Sequence, residues 1–336
     1  MHLKHLELLH FKNVTSLSIQ LNARVNCFLG DNGEGKTNIL DAIHYLSFCK
    51  SFFNPIDSQN IKHNEPFFVI QGKFEKEDAE VEIYCGQKRG EKKSFKKNKK
   101  EYQRLSDHIG LFPLVMISPA DVDLINEGSD VRRKFLDTII SQYDKMYLEK
   151  LIHYNKALAH RNVLLKRFAE TNSYRQDELE IWDIQLVENG EYIFKSRKKF
   201  IDELVPLFNE YYAFISGSKE KVDIGFHSDQ LEKPLAERAS RHTTVGIHKD
   251  DMEFMINDFP IKKYGSQGQQ KSFLIALKLA QYFFIKKVTG ANPILLLDDI
   301  FDKLDDSRVA RLMEKVTAKD FGQVFISDTN HYKLPA

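Results

Sequence analysis

The spacing of apolar and polar positions divides the chain into three textures. Near the start, HLKHLELL and TSLSIQL alternate with period two, the pattern of half-buried strands. RVNCFLG is a compact apolar run ending in glycine, and an amphipathic helix over about Lys36 to Phe48 follows it. FFVIQGKF, AEVEIYC and PLVMIS continue the strand pattern. From about Asp121 to Ile215 glycine and proline nearly vanish, and apolar residues recur at helical spacing (Phe135, Ile139, Ile140, then Tyr147, Leu151, Tyr154, Leu158). After Val222 strands and helices alternate again, closing on two buried-strand runs, Pro293 to Leu297 and Gln323 to Ser327. The expected architecture is α/β, a head built from residues 1–120 and 222–336, with a β-hairpin region at about 66–104 and a helical insertion at 121–221.

Composition narrows the class. A chain of 336 residues with 42% hydrophobic and 29% charged positions is globular, not disordered or collagen-like. Its net charge is only +1, so any nucleic-acid surface must come from local clustering. No run approaches a membrane span, and the N-terminus reads as a strand instead of a signal peptide. Three cysteines (Cys27, Cys49, Cys85) without a CxxC pair predict reduced thiols in a cytoplasmic protein.

The most specific chemistry lies at Gly30-Asp31-Asn32-Gly33-Glu34-Gly35-Lys36-Thr37, which satisfies G-x4-G-K-[ST]. Glycines let successive backbone N–H groups turn around phosphate oxygens, and the helix start adds a positive end. Lys36 would reach the β- and γ-phosphates of ATP, and the Thr37 hydroxyl would ligate Mg²⁺. Far downstream, Ile294-Leu295-Leu296-Leu297 ends in Asp298 and Asp299. So apolar a run fits a parallel strand buried on both faces, where ligands gather beyond the carboxyl ends. Asp298 would hold Mg²⁺ and Asp299 would orient or deprotonate an attacking water. Taken alone, that segment is equally a strand followed by a helix-capping aspartate.

Ser266-Gln267-Gly268-Gln269-Gln270-Lys271 opens another helix, and by sequence physics alone this is plain capping. About 30 residues before the L-L-L-D-D strand, however, S-x-G-Q resembles the signature loop of ABC-type ATPases. Asp302-Lys303-Leu304-Asp305 resembles their D-loop, and Thr329 aligns with their switch residue, with His331 two positions beyond. SPADVDLINEGSDVRRKFLD, YNKALAHRNVLL, TTVGIHKDDMEF and YGSQGQQKSFLIALKLAQ, in this order, resemble the successive blocks of the bacterial RecF family, recombination-mediator ATPases related to the heads of SMC proteins. The similarity runs from LHFKN to QVFIS. It departs at Phe53, where the family often has arginine, at GIHKD, and at Ser118 to Asp121, where SMC-type heads place a metal-sensing glutamine.

The resemblance implies an ABC-type ATPase head, with ATP and Mg²⁺ sandwiched between two chains. Ser266, Gly268 and Gln269 would then contact the nucleotide held by Lys36 of a second copy, with Asp305 and Thr329 beside it. It implies an ATP-dependent homodimer that engages duplex DNA near single-strand gaps, works with RecR and RecO and through them RecA, is associated with the nucleoid, and hydrolyses ATP slowly for release. Lys12 and Asn13 would approach nucleotide phosphate. The tract Lys88 to Lys100 holds eight Lys/Arg and one Glu. It reads evenly as a solvated hairpin edge or a phosphate-backbone contact through Lys92, Lys93, Lys96 and Lys97; Arg132 and Arg133 are further DNA candidates. An ABC-type subunit of a toxin or defence system signalling to a separate nuclease is the alternative.

Overall fold

The computed structural model describes residues 1–217, 220–228, 242–300, 306–317 and 320–329. The chain forms two compact units, Met1–Asp121 with Tyr211–Ser218 and Gln267–Ala336, and Val122–Glu210 with Lys219–Ser266. Strand patterning from Val222 onward suggested that everything after that point joined the head. The segment to Ser266 groups instead with the helices, because its strands pair only with one another.

In the first unit an antiparallel sheet runs in the order β2 (Val14–Gln20), β1 (His2–Phe11), β4 (Phe67–Lys76), β5 (Ala79–Lys88), β6 (Ser94–Lys97), β7 (Lys100–Glu101). A parallel sheet has the order β3 (Val25–Leu29), β13 (Val324–Asp328), β12 (Ile294–Asp298), β8 (Leu114–Ile117). Every residue of β8, β12 and β13 is buried, as expected for parallel strands covered on both faces. The two chain ends are stitched by Gln323, whose side chain accepts from the Leu3 N–H at 2.7 Å and donates to the Leu3 and Asn22 carbonyls at 2.8 Å.

Helix α1 (Lys36–Phe48) touches both sheets, and Leu40 through Phe48 are all buried. It is therefore not the amphipathic helix its sequence suggested. A helix between two sheets has no solvent face, and its polar members are satisfied internally. His44 meets the Lys50 carbonyl, and Ser47 donates to the Phe112 carbonyl at 2.6 Å. The 23-residue α7 (Gln267–Thr289) is buried almost as completely from Ser272 to Ile285, whereas α8 (Asp306–Thr317) buries Val309, Leu312, Met313 and Val316 along one stripe.

The second unit contains the short α2 (Asp123–Asn126), α3 (Ser129–Ile140), α4 (Lys145–Thr171) and most of α5 (Gln176–Ser216). With them are the short α6 (Ile261–Tyr264) and a three-stranded sheet, β11 (Phe259–Pro260), β10 (Asp251–Ile256), β9 (Val222–His227). At its centre the Arg197 guanidinium, 1% exposed, donates to Asp250 at 2.7 Å, Asp137 at 2.8 Å, the Ile247 carbonyl and the Tyr147 hydroxyl. Among the described residues no helix is long and apolar enough to cross a membrane.

Two stability predictions follow from these buried groups. Arg197→Met leaves two carboxylates without their cation and should cost about 3–5 kcal/mol, read by urea unfolding of the second unit through its single tryptophan, Trp182, which stacks on His160. In the first unit, burial pushes His44 and His108 down to about 4. The unfolded chain therefore binds more protons between pH 6.5 and 4, so stability is complete above that window and falls as pH drops through it. His108→Gln should flatten the pH dependence of the unfolding free energy by about one proton; an unchanged slope would show that His108 titrates normally.

Candidate functional site

The phosphate-loop segment leaves β3 and enters α1 through Gly35, in the left-handed region at φ 98°. Gly35 gives no side-chain cap, and the first turn of α1 has no acidic residue, so the helix's leading N–H groups meet no side-chain acceptor of its own. Lys36 folds over the loop, its ammonium donating to the carbonyls of Gly30 at 2.6 Å and Asp31 at 2.7 Å. From the far side, the Glu34 carboxylate accepts the Asp31 N–H at 3.1 Å.

The β1–β2 turn braces this loop. Asn13 donates to the Gly33 carbonyl at 2.9 Å and accepts from Asn38 at 2.7 Å. A Cβ on Gly35 would lie 2.8 Å from the Asn13 side-chain oxygen, so glycine is required there for contact as well as for φ. The Lys12 ammonium lies 2.6 Å from the buried Asp41 carboxylate and 5.2 Å from the Phe53 ring centre. Asp41 also accepts from the Ser51 hydroxyl at 2.6 Å and the Phe52 N–H at 2.7 Å. The sequence reading missed Asp41. Its only signal was a carboxylate four residues after Thr37 on a helix that proves buried from Leu40 to Phe48.

At the carboxyl end of β12 the two distant motifs meet. Thr37 donates to Asp298 at 2.8 Å, and Ser327, at the end of the neighbouring strand β13, donates to the same carboxylate oxygen at 2.6 Å. This donor set, a hydroxyl and a carboxylate beside an uncapped helix start, has the hard-oxygen chemistry that Mg²⁺ and phosphate require. Asp299, half-buried, turns out of the strand at φ 48°, a left-handed conformation that costs energy for a non-glycine residue. The Ser118 N–H bonds the Asp121 carboxylate at 2.8 Å. Asp121 is fully engaged as well by Lys278 of α7, 2.7 Å away and equally buried, whose ammonium also reaches the Met116 carbonyl at 3.0 Å. Asp121 thus serves as an anchor for α7.

Other expected residues fall into place or out of it. Ser266 is exposed directly before α7, with Gly268 and Gln269 half-buried in its first turn; Thr329 is exposed just past β13. Asp302 to Asp305 and His331 lie outside the described residues. Lys93 drops out as a DNA contact, because its ammonium is bound to Asp57 at 2.7 Å, the Cys49 carbonyl at 2.6 Å and the Tyr45 hydroxyl at 3.1 Å. Arg132 drops out for the same reason. It forks onto Asp251 at 2.6 and 3.0 Å and donates to two carbonyls, and Arg133 donates to the Asp250 carbonyl. Lys92 is exposed, Lys97 is half-buried, and Lys96 lies over the Tyr84 ring at 5.5 Å.

Comparison with known proteins shows the family and the fold. Residues 2–334 match the family described as RecF/RecN/SMC N terminal domain. The chain is 52% identical to the DNA replication and repair protein RecF of Flavobacterium johnsoniae, with 100% of this chain and 96% of that protein covered. It is 52% identical to the protein of the same name from Bacteroides thetaiotaomicron, covering 99% and 92%. Its fold matches the recombination mediator protein RecF-ATPrS of the RecFOR pathway with TM-score 0.89 at 31% identity, over 100% of this chain and 94% of that one. The Smc head domain of Pyrococcus furiosus shares the fold at TM-score 0.58 and 21% identity, over 98% and 90%.

Asn13→Ala removes both braces of the phosphate loop without touching its backbone donors. Nucleotide affinity should fall by roughly fivefold to tenfold, the worth of one to two neutral hydrogen bonds, in a titration with a fluorescent ATP analogue. Unchanged affinity would mean the loop holds its shape unaided.

Proposed function

The chain belongs to the RecF family of SMC-like ATPases, and from that premise we propose that it is an ATP-gated DNA-binding protein of recombinational repair, in which two copies close around nucleotide to engage duplex DNA near single-strand gaps. The observation that carries this reading is the junction of Thr37 with Asp298, which joins a phosphate loop from one chain end to a strand carboxylate from the other.

In this reading the backbone N–H groups from Gly33 to Thr37 and the start of α1 hold the phosphates, and the Lys36 ammonium leaves its carbonyls to bridge the β- and γ-phosphates. Thr37 and Asp298 would hold Mg²⁺ at the edge of the triphosphate, where the ion spreads developing negative charge. Asp299 orients the attacking water and takes its proton. Ser266, Gly268 and Gln269 meet the γ-phosphate from the second copy, with Asp305 and Thr329 near the same junction. Loss of that phosphate removes their partner, so ATP favours the closed pair and ADP the separated chains. DNA then meets cations of the lysine-rich hairpin, among them Lys92, Lys96 and Lys97, as a salt-dependent backbone contact. RecR and RecO, and RecA through them, are the partners this reading assigns, with nucleoid association in the cell.

Sedimentation tests it. The wild type should gain mass with a slowly hydrolysed ATP analogue, more so with gapped duplex, while Lys36→Met should not. Ser266→Arg should bind nucleotide and stay single. Asp299→Asn should keep the ATP-dependent mass gain while hydrolysis drops by about 10²–10⁴. Equal DNA binding by wild type and Lys36→Met without nucleotide would overturn the gating.

A further inference from the structure

A fully buried carboxylate on α1 ties down the hairpin turn that braces the phosphate loop, and the phosphate-site chemistry does not use it. Asp41 takes the Lys12 ammonium at 2.6 Å and the Ser51 hydroxyl at 2.6 Å on one oxygen, and the Phe52 N–H at 2.7 Å on the other. Lys12 and Asn13 form the two-residue connection between the paired Phe11 and Val14. From the second position of that turn, Asn13 donates to the Gly33 carbonyl at 2.9 Å and accepts from Asn38 at 2.7 Å. Asn38 and Asp41 both belong to α1. The contacts therefore close a ring: from α1 through Asp41 and Lys12 to the turn, then through Asn13 to the loop and back to α1.

Two features of this ring cost energy unless the place of the turn matters. Lys12 has φ 51°, a left-handed conformation that two-residue hairpin turns usually give to glycine, asparagine or aspartate. Both ends of the lysine are held there. Its backbone N–H donates to the Asn60 carbonyl at 2.8 Å, and its ammonium lies 5.7 Å from the Phe11 ring centre and 5.2 Å from that of Phe53. Asp41 is 0% exposed, and apolar residues of similar volume would stabilise the core as well as such a pair does. What the acid adds is a fixed place for the ammonium, and with it a fixed place for the next residue. The tolerance is small. A shift of the turn by about 1 Å would carry the 2.9 Å bond from Asn13 to Gly33 out of hydrogen-bond range.

We infer that Asp41 is a positioning residue for nucleotide binding: it holds Lys12 so that Asn13 keeps the phosphate loop in its binding shape. Lys12 in this arrangement serves the acid, instead of approaching phosphate as its place in the sequence suggested. Asp41 is assigned no contact with nucleotide. This rests on the reading of Gly30 to Thr37 as the phosphate site.

The test uses the full-length chain as wild type, Asp41→Asn, Lys12→Met and Asn13→Ala, and the last combined with each of the others. The readouts are affinity for a fluorescent ATP analogue, kcat and KM for ATP, and the urea unfolding midpoint. Asp41→Asn keeps an acceptor for Phe52 but loses the charge that holds Lys12. It should weaken analogue binding and raise KM by roughly threefold to tenfold, the span that one hydrogen bond converts to, with kcat within about twofold of wild type. In the Asn13→Ala background it should cost less than about twofold further, because both changes act through one brace. Lys12→Met should raise KM as Asp41→Asn does. Wild-type affinity in a folded Asp41→Asn would overturn the proposal, and so would tighter binding, the sign expected of a lysine released to reach phosphate. Single effects that multiply in the double variant, or a lowered unfolding midpoint with unchanged affinity, would reduce Asp41 to a structural acid and overturn it as well. Should Asp41→Asn fail to fold, Lys12→Met decides: wild-type KM, or an effect that multiplies with Asn13→Ala, overturns the proposal. A wild type that binds no analogue sinks the phosphate-site reading itself, a result separable from any effect of Asp41.

Discussion

Everything at the site depends on one buried carboxylate oxygen. The Asp298 oxygen that accepts from Thr37 also accepts from Ser327, in a residue 3% exposed. A carboxylate desolvated this far is tolerable only when its lone pairs are filled, and two hydroxyls fill one oxygen here. Those hydroxyls come from α1 and from β13, so the acid fixes the phosphate-loop helix against the sheet. The sheet order makes this possible. β13 lies between β3 and β12, in parallel register with both, and brings the ends of all three strands to one edge.

Closing that edge joins residues separated by most of the chain. Long loops add only slowly to closure entropy, so an intervening unit of helices costs little beyond a short connection. The stitches are short and buried: three hydrogen bonds from Gln323 and the β13–β3 ladder. The intervening unit satisfies its own polar groups in the same way, with Arg197, Arg161 and Arg132 all spent on internal carboxylates. The motifs RRKFLD, HRN and GIHKDD meet in that unit. Asn162 and Arg161 hold Thr243, and Tyr154 meets His248 at 2.8 Å. Whatever those motifs do for a partner, much of their charge already serves the fold.

Local signals in the sequence reached far. Strand periodicity located β1, β4, β5, β8, β12 and β13, and the extent of α1 agrees with its apolar pattern. Glycine spacing located the turn between β3 and α1, and the unbroken apolar run located the strand that ends at Asp298. What stayed hidden was pairing. Periodicity assigns a residue to a face but does not say what covers that face, so α1 read as amphipathic and 222–266 as head. Cations misled for a related reason. A lysine in a basic tract counts as surface charge until a buried acceptor claims it, and Asp57 claims Lys93 from 36 residues away.

The fate of α7 shows how those hidden pairings set the mechanics of the site. Lys278 pins the middle of this helix to Asp121 and to the end of β8, while Gly268 opens its first turn. Ten residues of helix span about 15 Å, and with thirteen of its residues buried the rod has little room to rotate or slide. The end of β8, paired with the strand that carries Asp298, is thus tied to α7 by a buried ion pair instead of by sequence proximity. A buried pair is a poor source of net stability but a strict setter of register, since only one arrangement satisfies both charges. Register is what a site assembled from separate pieces needs most.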